Sequence, residues 1–213
     1  MQTDTIIKFI FLKFESLIYR IIIISLITII LCITILKIKG AVYIPQPTEN
    51  VNTPVSDNSI MASEFNYYST YYNWLTTEIY FTVRKHAHRY NVPIDLVLAI
   101  IDVESGGRNI RSNRRNSNGS YDYGIMQIND VHLESDKFNS IGCFFDLDKN
   151  IEFGVIYMRK CMDRSYDNKT LKYDIPAIIR RYNQGLNGNE NNYNNWRYVV
   201  RVYDNFVKTY LGR

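Results

Sequence analysis

The sequence predicts a mainly α-helical domain preceded by a single N-terminal transmembrane helix and a linker. Three observations carry this expectation. An uncharged run, IIIISLITIILCITIL, extends from Ile21 to Leu36. A polar stretch bearing Pro45, Pro47 and Pro54 follows it. From Glu64 onward apolar residues recur at three- and four-residue spacing, and no run alternates like a strand beside turn signals.

The apolar run reaches from Leu17 to Ile38, with Arg20 and Lys37 snorkelling at its ends. That is the ~20 residues a helix needs to cross a bilayer. A cleaved signal peptide has a shorter core and a small-x-small site after it. Here Lys37, Lys39 and Gly40 follow, and Leu31 precedes Cys32, so the expectation is an uncleaved anchor. Lys8, Lys13 and Arg20 precede the span and Lys37 and Lys39 follow it, a slight bias that leaves the N-terminus in the cytoplasm. The expected organisation is a short cytoplasmic segment at 1–16, an anchor at 17–38, a linker at 39–62 and a domain at 63–213. The chain would then be a single-pass inner (cytoplasmic) membrane protein with an extracytoplasmic, periplasmic domain.

Within the domain, a first helix with an aromatic stripe runs from Trp74 to about Tyr90. A second runs from Pro93, suited to a first helical turn, to about Ser105. A loop rich in Asn, Ser, Arg and Gly extends to Ser120, and Gly124 to about Val131 reads as a short helix. In Leu147 to Arg164, Ile151, Val155, Met158 and Met162 share one stripe with Cys161 close by. Ile175 to Gln184 follows, with Gly185 as its stop. Asn195 to Leu211 closes the chain, with Trp196, Val199, Val200, Tyr203 and Phe206 facing inward.

The second helix poses the chemical question. Leu96, Val97, Ile100 and Ile101 mark its inward face, and Glu104 falls on that face, four residues after Ile100. Asp102 groups with Asp95 and Ala99 on the opposite, polar side. A carboxyl pressed against an apolar stripe is costly to ionise, so its pKa rises toward neutrality, the state a general acid needs. The stretch fits a structural Glu paired with arginine equally well, and Arg108, Arg111, Arg114 and Arg115 lie nearby.

Composition narrows the choices. From residue 63 onward Lys and Arg outnumber Asp and Glu by only 20 to 17, without a dense run, so nucleic acid is not implied. The Arg108–Arg115 cluster reads as a solvated loop or as a contact for an anionic polymer such as a cell wall. No Cys-x-x-Cys or ligand-spaced histidine set implies a metal, and His86 and His88 read as surface residues. Cys143 and Cys161 are close enough in sequence to bridge in an oxidising compartment, which would contribute ~2–4 kcal/mol.

Three segments in order carry a resemblance. Glu104-Ser105 ends an apolar helix, Gly124-Ile125-Met126-Gln127-Ile128 follows a polar loop, and Arg181-Tyr182-Asn183-Gln184-Gly185 ends a later helix. This order resembles the soluble-lytic-transglycosylase catalytic domain, with its goose-lysozyme-like fold and its Glu-Ser, Gly-Leu-Met-Gln and Ala-Tyr-Asn-x-Gly patterns. The segment Leu147 to Lys160 is similar to the helix that follows the Gln motif in that family. Ile125 stands where the family has Leu, Arg181 where it has Ala, and the loop between the first two motifs is longer. The cysteine pair and the Asp122-Tyr123-Gly124 lead-in resemble members associated with secretion systems, conjugation and pilus assembly.

The resemblance implies cleavage of peptidoglycan between N-acetylmuramic acid and N-acetylglucosamine, leaving a 1,6-anhydro end, with no cofactor and no metal. Glu104 would be the catalytic acid and base. Ser105 would steady Glu104 or the leaving sugar, Met126 and Gln127 would line the cleft, Tyr182 would reach Glu104 with its hydroxyl, and Asn183 would contact substrate. Met126 also fits core packing. No motif places a second acid opposite Glu104; Asp122 and Asp130 are the nearest candidates, read as ordering a loop and facing solvent. Two other readings stay open: a hydrolytic muramidase on the same fold, and a catalytically idle wall-binding scaffold for an envelope-spanning complex.

Overall fold

The computed structural model describes residues 41–42, 57–133, 138–187 and 196–212. The expected anchor at 17–38 and most of the expected linker lie outside the described residues. The chain divides into two compact units after Val42, and of the first the described part is strand β1, Ala41–Val42. Among the described residues no helix is long and apolar enough to cross a membrane.

The second unit is mainly helical: α1 Asp57–Ser69, α2 Thr77–Arg89, α3 Ile94–Glu104, α4 Leu147–Asp163, α5 Ile175–Gln184 and α6 Trp196–Leu211. Helix α1 begins inside the segment expected to be linker. Helix α2 starts three residues later than the aromatic pattern suggested, because Thr76 caps it, its Oγ1 accepting from the Ile79 amide at 3.2 Å. Asp146 and Asp174 cap α4 and α5 in the same way.

Helix α3 makes its most extensive packing with α6. Helices α2, α3, α6, α5 and α4 pack in that order, and α4 returns to α2. Every residue from Ile94 to Ile101 is buried as a result, so the expected polar side of α3 does not exist. Asp95 is 3% exposed, and Asp102 accepts from Trp74 Nε1 and Asn205 Nδ2, each at 2.7 Å. A helix enclosed on all sides must satisfy its polar groups within the protein.

The stripe of α4 is as expected, with Ile151, Val155, Met158, Cys161 and Met162 all buried. Helix α6 is rotated from expectation: Val199, Val202, Phe206 and Thr209 face inward, while Trp196 and Val200 are exposed. His86 is another correction. It is 1% exposed, and its Nε2 lies 2.9 Å from Asp148 Oδ1.

In place of the short helix expected at 124–131 the chain forms an antiparallel sheet, β2 Ile110–Arg111, β3 Asp122–Gly124 and β4 Ile128–Asn129, in that spatial order. Its register pairs Arg111 with Tyr123 and Tyr123 with Ile128. Short 3₁₀ turns at Asp130–His132 and Ile141–Phe145 lead into α4. A hairpin of β5 Tyr166–Asp167 and β6 Lys172–Asp174 then joins α4 to α5.

The expected disulfide does not form: Cys143 and Cys161 are free thiols. Cys143 sits in the 3₁₀ turn ahead of α4 and Cys161 near the far end of that helix. At 1.5 Å per residue, the run from Leu147 to Cys161 separates the ends by about 20 Å. A disulfide needs Cα atoms within about 7 Å.

Candidate active site

Glu104 is the last residue of α3. The helix stops there because Ser105 leaves helical geometry and Gly106 turns left-handed at φ 60°, its amide donating to Asp102 O at 3.1 Å. Gly107 continues at φ 74° and lies against the Trp74 ring, where an added Cβ would come within 2.3 Å of Cε3. Two glycines thus let the chain turn away tightly and leave the Glu104 carboxyl at the helix end. Arg108 folds back, its Nε donating to Ser105 O at 2.8 Å, so the nearest arginine serves the backbone rather than Glu104.

The turn between β3 and β4 is fastened beside this helix end. Ser105 Oγ, buried, donates to Ile125 O at 2.7 Å. Asn150 of α4, fully buried, accepts from the Met126 amide at 2.8 Å and donates to Tyr123 O and Phe144 O at 3.0 and 2.9 Å. Gly124 permits this approach: its φ is 78°, and a Cβ there would lie 2.2 Å from Asn150 Nδ2. Tyr182 Oη, from α5, donates to Met126 O at 3.1 Å. Side chains from the C-cap of α3, from α4 and from α5 therefore fix one short turn.

That turn presents Gln127. Its backbone is left-handed at φ 49°, and its Nε2 donates to Ile110 O at 2.9 Å and Gly124 O at 2.8 Å. Both acceptors are carbonyls, which assigns the amide nitrogen. The side-chain carbonyl Oε1 is left open. Gln127, Glu104, Asp122, Tyr157, Tyr182 and Asn183 line a single cleft of about 670 Å³. His132 and Phe153 line it too, with ring centres 4.8 Å apart.

The electrostatics centre on Glu104. Burial raises its carboxyl from the usual range to about 7; a hydrogen bond from Tyr198 opposes the rise and the Asp122 charge adds to it. A position at the negative end of the α3 dipole also disfavours the anion. Tyr198 Oη donates to Glu104 Oε1 at 2.5 Å, and burial, followed by the Glu104 charge, holds that phenol well above its ordinary pKa. Asp122 accepts from Asn116 Nδ2 at 3.1 Å and Asn129 Nδ2 at 2.7 Å. One cleft therefore holds a carboxyl poised to give a proton and a second in a polar, hydrogen-bonded setting. Among the described residues no group of three His, Cys, Asp or Glu is arranged to hold a metal.

Glu104, Gln127, Tyr182 and Asn183 are thus brought together as the sequence suggested. Ser105 lies next to them but bonds Ile125 and not Glu104. Met126 departs from expectation as a cleft residue: it is fully buried, its sulfur packed on Gly154. Tyr182 does not reach Glu104 with its hydroxyl, which is committed to Met126 O. Sequence reasoning missed Tyr198 and Asn150. Tyr198 shares a helical face with Val202, Asn205 and Thr209, a spacing that offered a signal, but the partner of that face was not legible. Arg181 ties the α5 end to neighbouring turns, donating to Ser165 Oγ at 3.1 Å and to Leu186 O.

Residues 81–198 match the transglycosylase SLT domain family. Two curated relatives, Protein IpgF of Shigella sonnei and Protein IpgF of Shigella flexneri, are each 54% identical over 48 residues. That stretch is 22% of this chain and 31% of each relative, so the chain spans less than a third of the length of the curated relatives it matches.

Proposed function

Because the chain belongs to the transglycosylase SLT domain family, we propose that it is a lytic transglycosylase, cleaving the β-1,4 bond between N-acetylmuramic acid and N-acetylglucosamine with Glu104 as acid and base. The observation that carries this reading is a carboxyl raised to about 7 on the wall of the cleft. A protonated Glu104 gives its proton to the glycosidic oxygen, and the C1–O4 bond breaks as N-acetylglucosamine leaves. The Glu104 carboxylate then takes the proton of the muramoyl C6 hydroxyl while that oxygen bonds to C1. A 1,6-anhydro ring closes, no water is consumed, and Glu104 is protonated again.

The remaining residues take supporting parts. Gln127 Oε1 accepts from a sugar hydroxyl or acetamido N–H, and Asn183, which lines the same cleft, contacts the strand. Tyr198 steadies the anionic form of Glu104. Ser105, Asn150 and Tyr182 position the Gln127 turn without touching substrate. Residues 17–38 anchor the chain in the inner membrane, and the domain acts in the periplasm, where a secretion or conjugation complex is the partner that the sequence resemblance points to.

Asp122 favours a second reading, a hydrolytic muramidase, because a carboxylate in the same cleft is able to activate water. Mass spectrometry of peptidoglycan digested by the full-length chain separates the two. Muropeptides lighter by one water support the transglycosylase, and reducing ends support the hydrolase. No products from a folded chain that still binds the wall would indicate a scaffold.

A further inference from the structure

The longer loop after Glu104 carries charge that the chemistry above does not use. Arg111 ends β2, paired with Tyr123 of β3. Its guanidinium lies 4.6 Å from the centre of the Tyr121 ring, and that of Arg115 lies 5.8 Å from the same ring. Arg115 also donates through Nε to Gly119 O. Arg111, Arg114 and Arg115 are all exposed. Among the described residues no carboxylate pairs with any of them. Asp122, the acid nearest in sequence to Arg114 and Arg115, takes its hydrogen bonds from Asn116 and Asn129 instead. The segment directly after the arginines, Asn116 to Asn118, lines the cleft that holds Glu104.

We infer that Arg111, Arg114 and Arg115 form a docking site at the cleft margin for carboxylates, those of the peptide stems that branch from the glycan strand. The choice of polymer rests on the function proposed above. The backbone of N-acetylated sugars is uncharged and gives an arginine no partner, whereas each stem brings carboxylates that match the guanidinium fork. Stacking on Tyr121 holds two of the three cations in place before a ligand arrives, so less side-chain freedom is lost on binding. Strand pairing carries the same residues into the β3–β4 turn, which ties the charged margin to Gln127.

The test compares full-length protein with two variants, Arg111→Gln/Arg115→Gln and Arg114→Gln, on two substrates. One is peptidoglycan with its stems; the other is the same glycan stripped of stems by an amidase, with the lactyl carboxylates that this hydrolysis frees converted to neutral amides. The wild type should favour the stem-bearing strand in kcat/KM by about tenfold, the size expected for charge-assisted hydrogen bonds, and the preference should shrink at high salt. Both variants should narrow the preference while keeping the wild-type rate on stripped strands. Arg114 is exposed, so its variant guards against a folding defect. An equal loss on both substrates, or a preference that survives in both variants, overturns the inference. So does loss of binding to anionic lipid vesicles with the stem preference intact, which would assign the patch to a membrane. A wild type that cuts neither substrate overturns the proposed function itself; one that cuts both equally overturns only the docking site.

Discussion

Tyr198 Oη lies 2.5 Å from Glu104 Oε1, joining the end of α3 to the start of α6. The contact belongs to an antiparallel series. Asp102 meets Asn205 one step along, and at the other end of α3 Thr209 is among the groups that oppose the burial-driven rise of the Asp95 pKa. The packing of one helix against another therefore sets the protonation of the proposed acid.

Replacing Tyr198 with Phe removes the donor that favours the charged form of Glu104. The carboxyl pKa should then rise further, and the alkaline limb of the kcat/KM profile should move to higher pH. The rate at neutral pH should fall by about ten- to hundredfold, the worth of one hydrogen bond to a charged group. An unmoved limb would show that the hydroxyl does not act on Glu104.

Glu104→Gln should remove turnover, by at least ~10²-fold for a general acid, while leaving wall binding intact. Its stability should move the other way. The folded-state pKa of about 7 lies above the ordinary 4.5, so the folded chain holds this proton more tightly than the unfolded one. Stability falls as pH rises through that window, and the cost persists above it. Glu104→Gln should thus be more stable than wild type at pH 8, by no more than ~3 kcal/mol, and unfold at a higher temperature. The difference should close below pH 4.5. Thermal melts at the two pH values decide the point.

Asn150→Ala should unfold the β3–β4 turn from α4. It leaves the Met126 amide and the Tyr123 and Phe144 carbonyls without their partner in a dry setting. A loss of ~3 kcal/mol is expected, which is a drop of about 6–12 °C in Tm for a chain of this size. Gly124→Ala should be comparably severe, since it meets both a left-handed φ and the Asn150 side chain. Circular dichroism melts would measure both.

The two domain thiols should differ in reactivity. A hydrogen bond with Ser140 lowers the Cys143 pKa, whereas burial pushes Cys161 up to about 12. Alkylation of native protein at mildly alkaline pH should map to Cys143, with Cys161 labelled only after unfolding. Protection of both until reduction would mean that they are bridged.

Much of the helical framework was legible. The stripe of α4 has the 3.6-residue period over several turns, and that signal needs no partner to be read; α3, buried on every side from Ile94 to Ile101, shows no such stripe. The placement of Glu104 at a helix end followed from Gly106 and Gly107. The three motifs brought Glu104, Gln127, Tyr182 and Asn183 into one expected site before any fold was known. The strands were not legible because two or three residues cannot display alternation. The α6 stripe was misread by rotation: Val199 and Phe206 belong to it, but the exposed Trp196 and Val200 are as apolar as the buried Val202.

The sequence by itself determined the helical class, the inward direction of Glu104 and the left-handed stops that bring α3 to an end, because these follow from local period and backbone conformation. Only the tertiary structure decided which phenol reaches Glu104, that Met126 is core, that Asp122 shares the cleft and that the two cysteines stand apart. Each of those depends on distances between elements far apart in the chain. Such distances arise from how the helices around α3 pack, and no short stretch of residues encodes them.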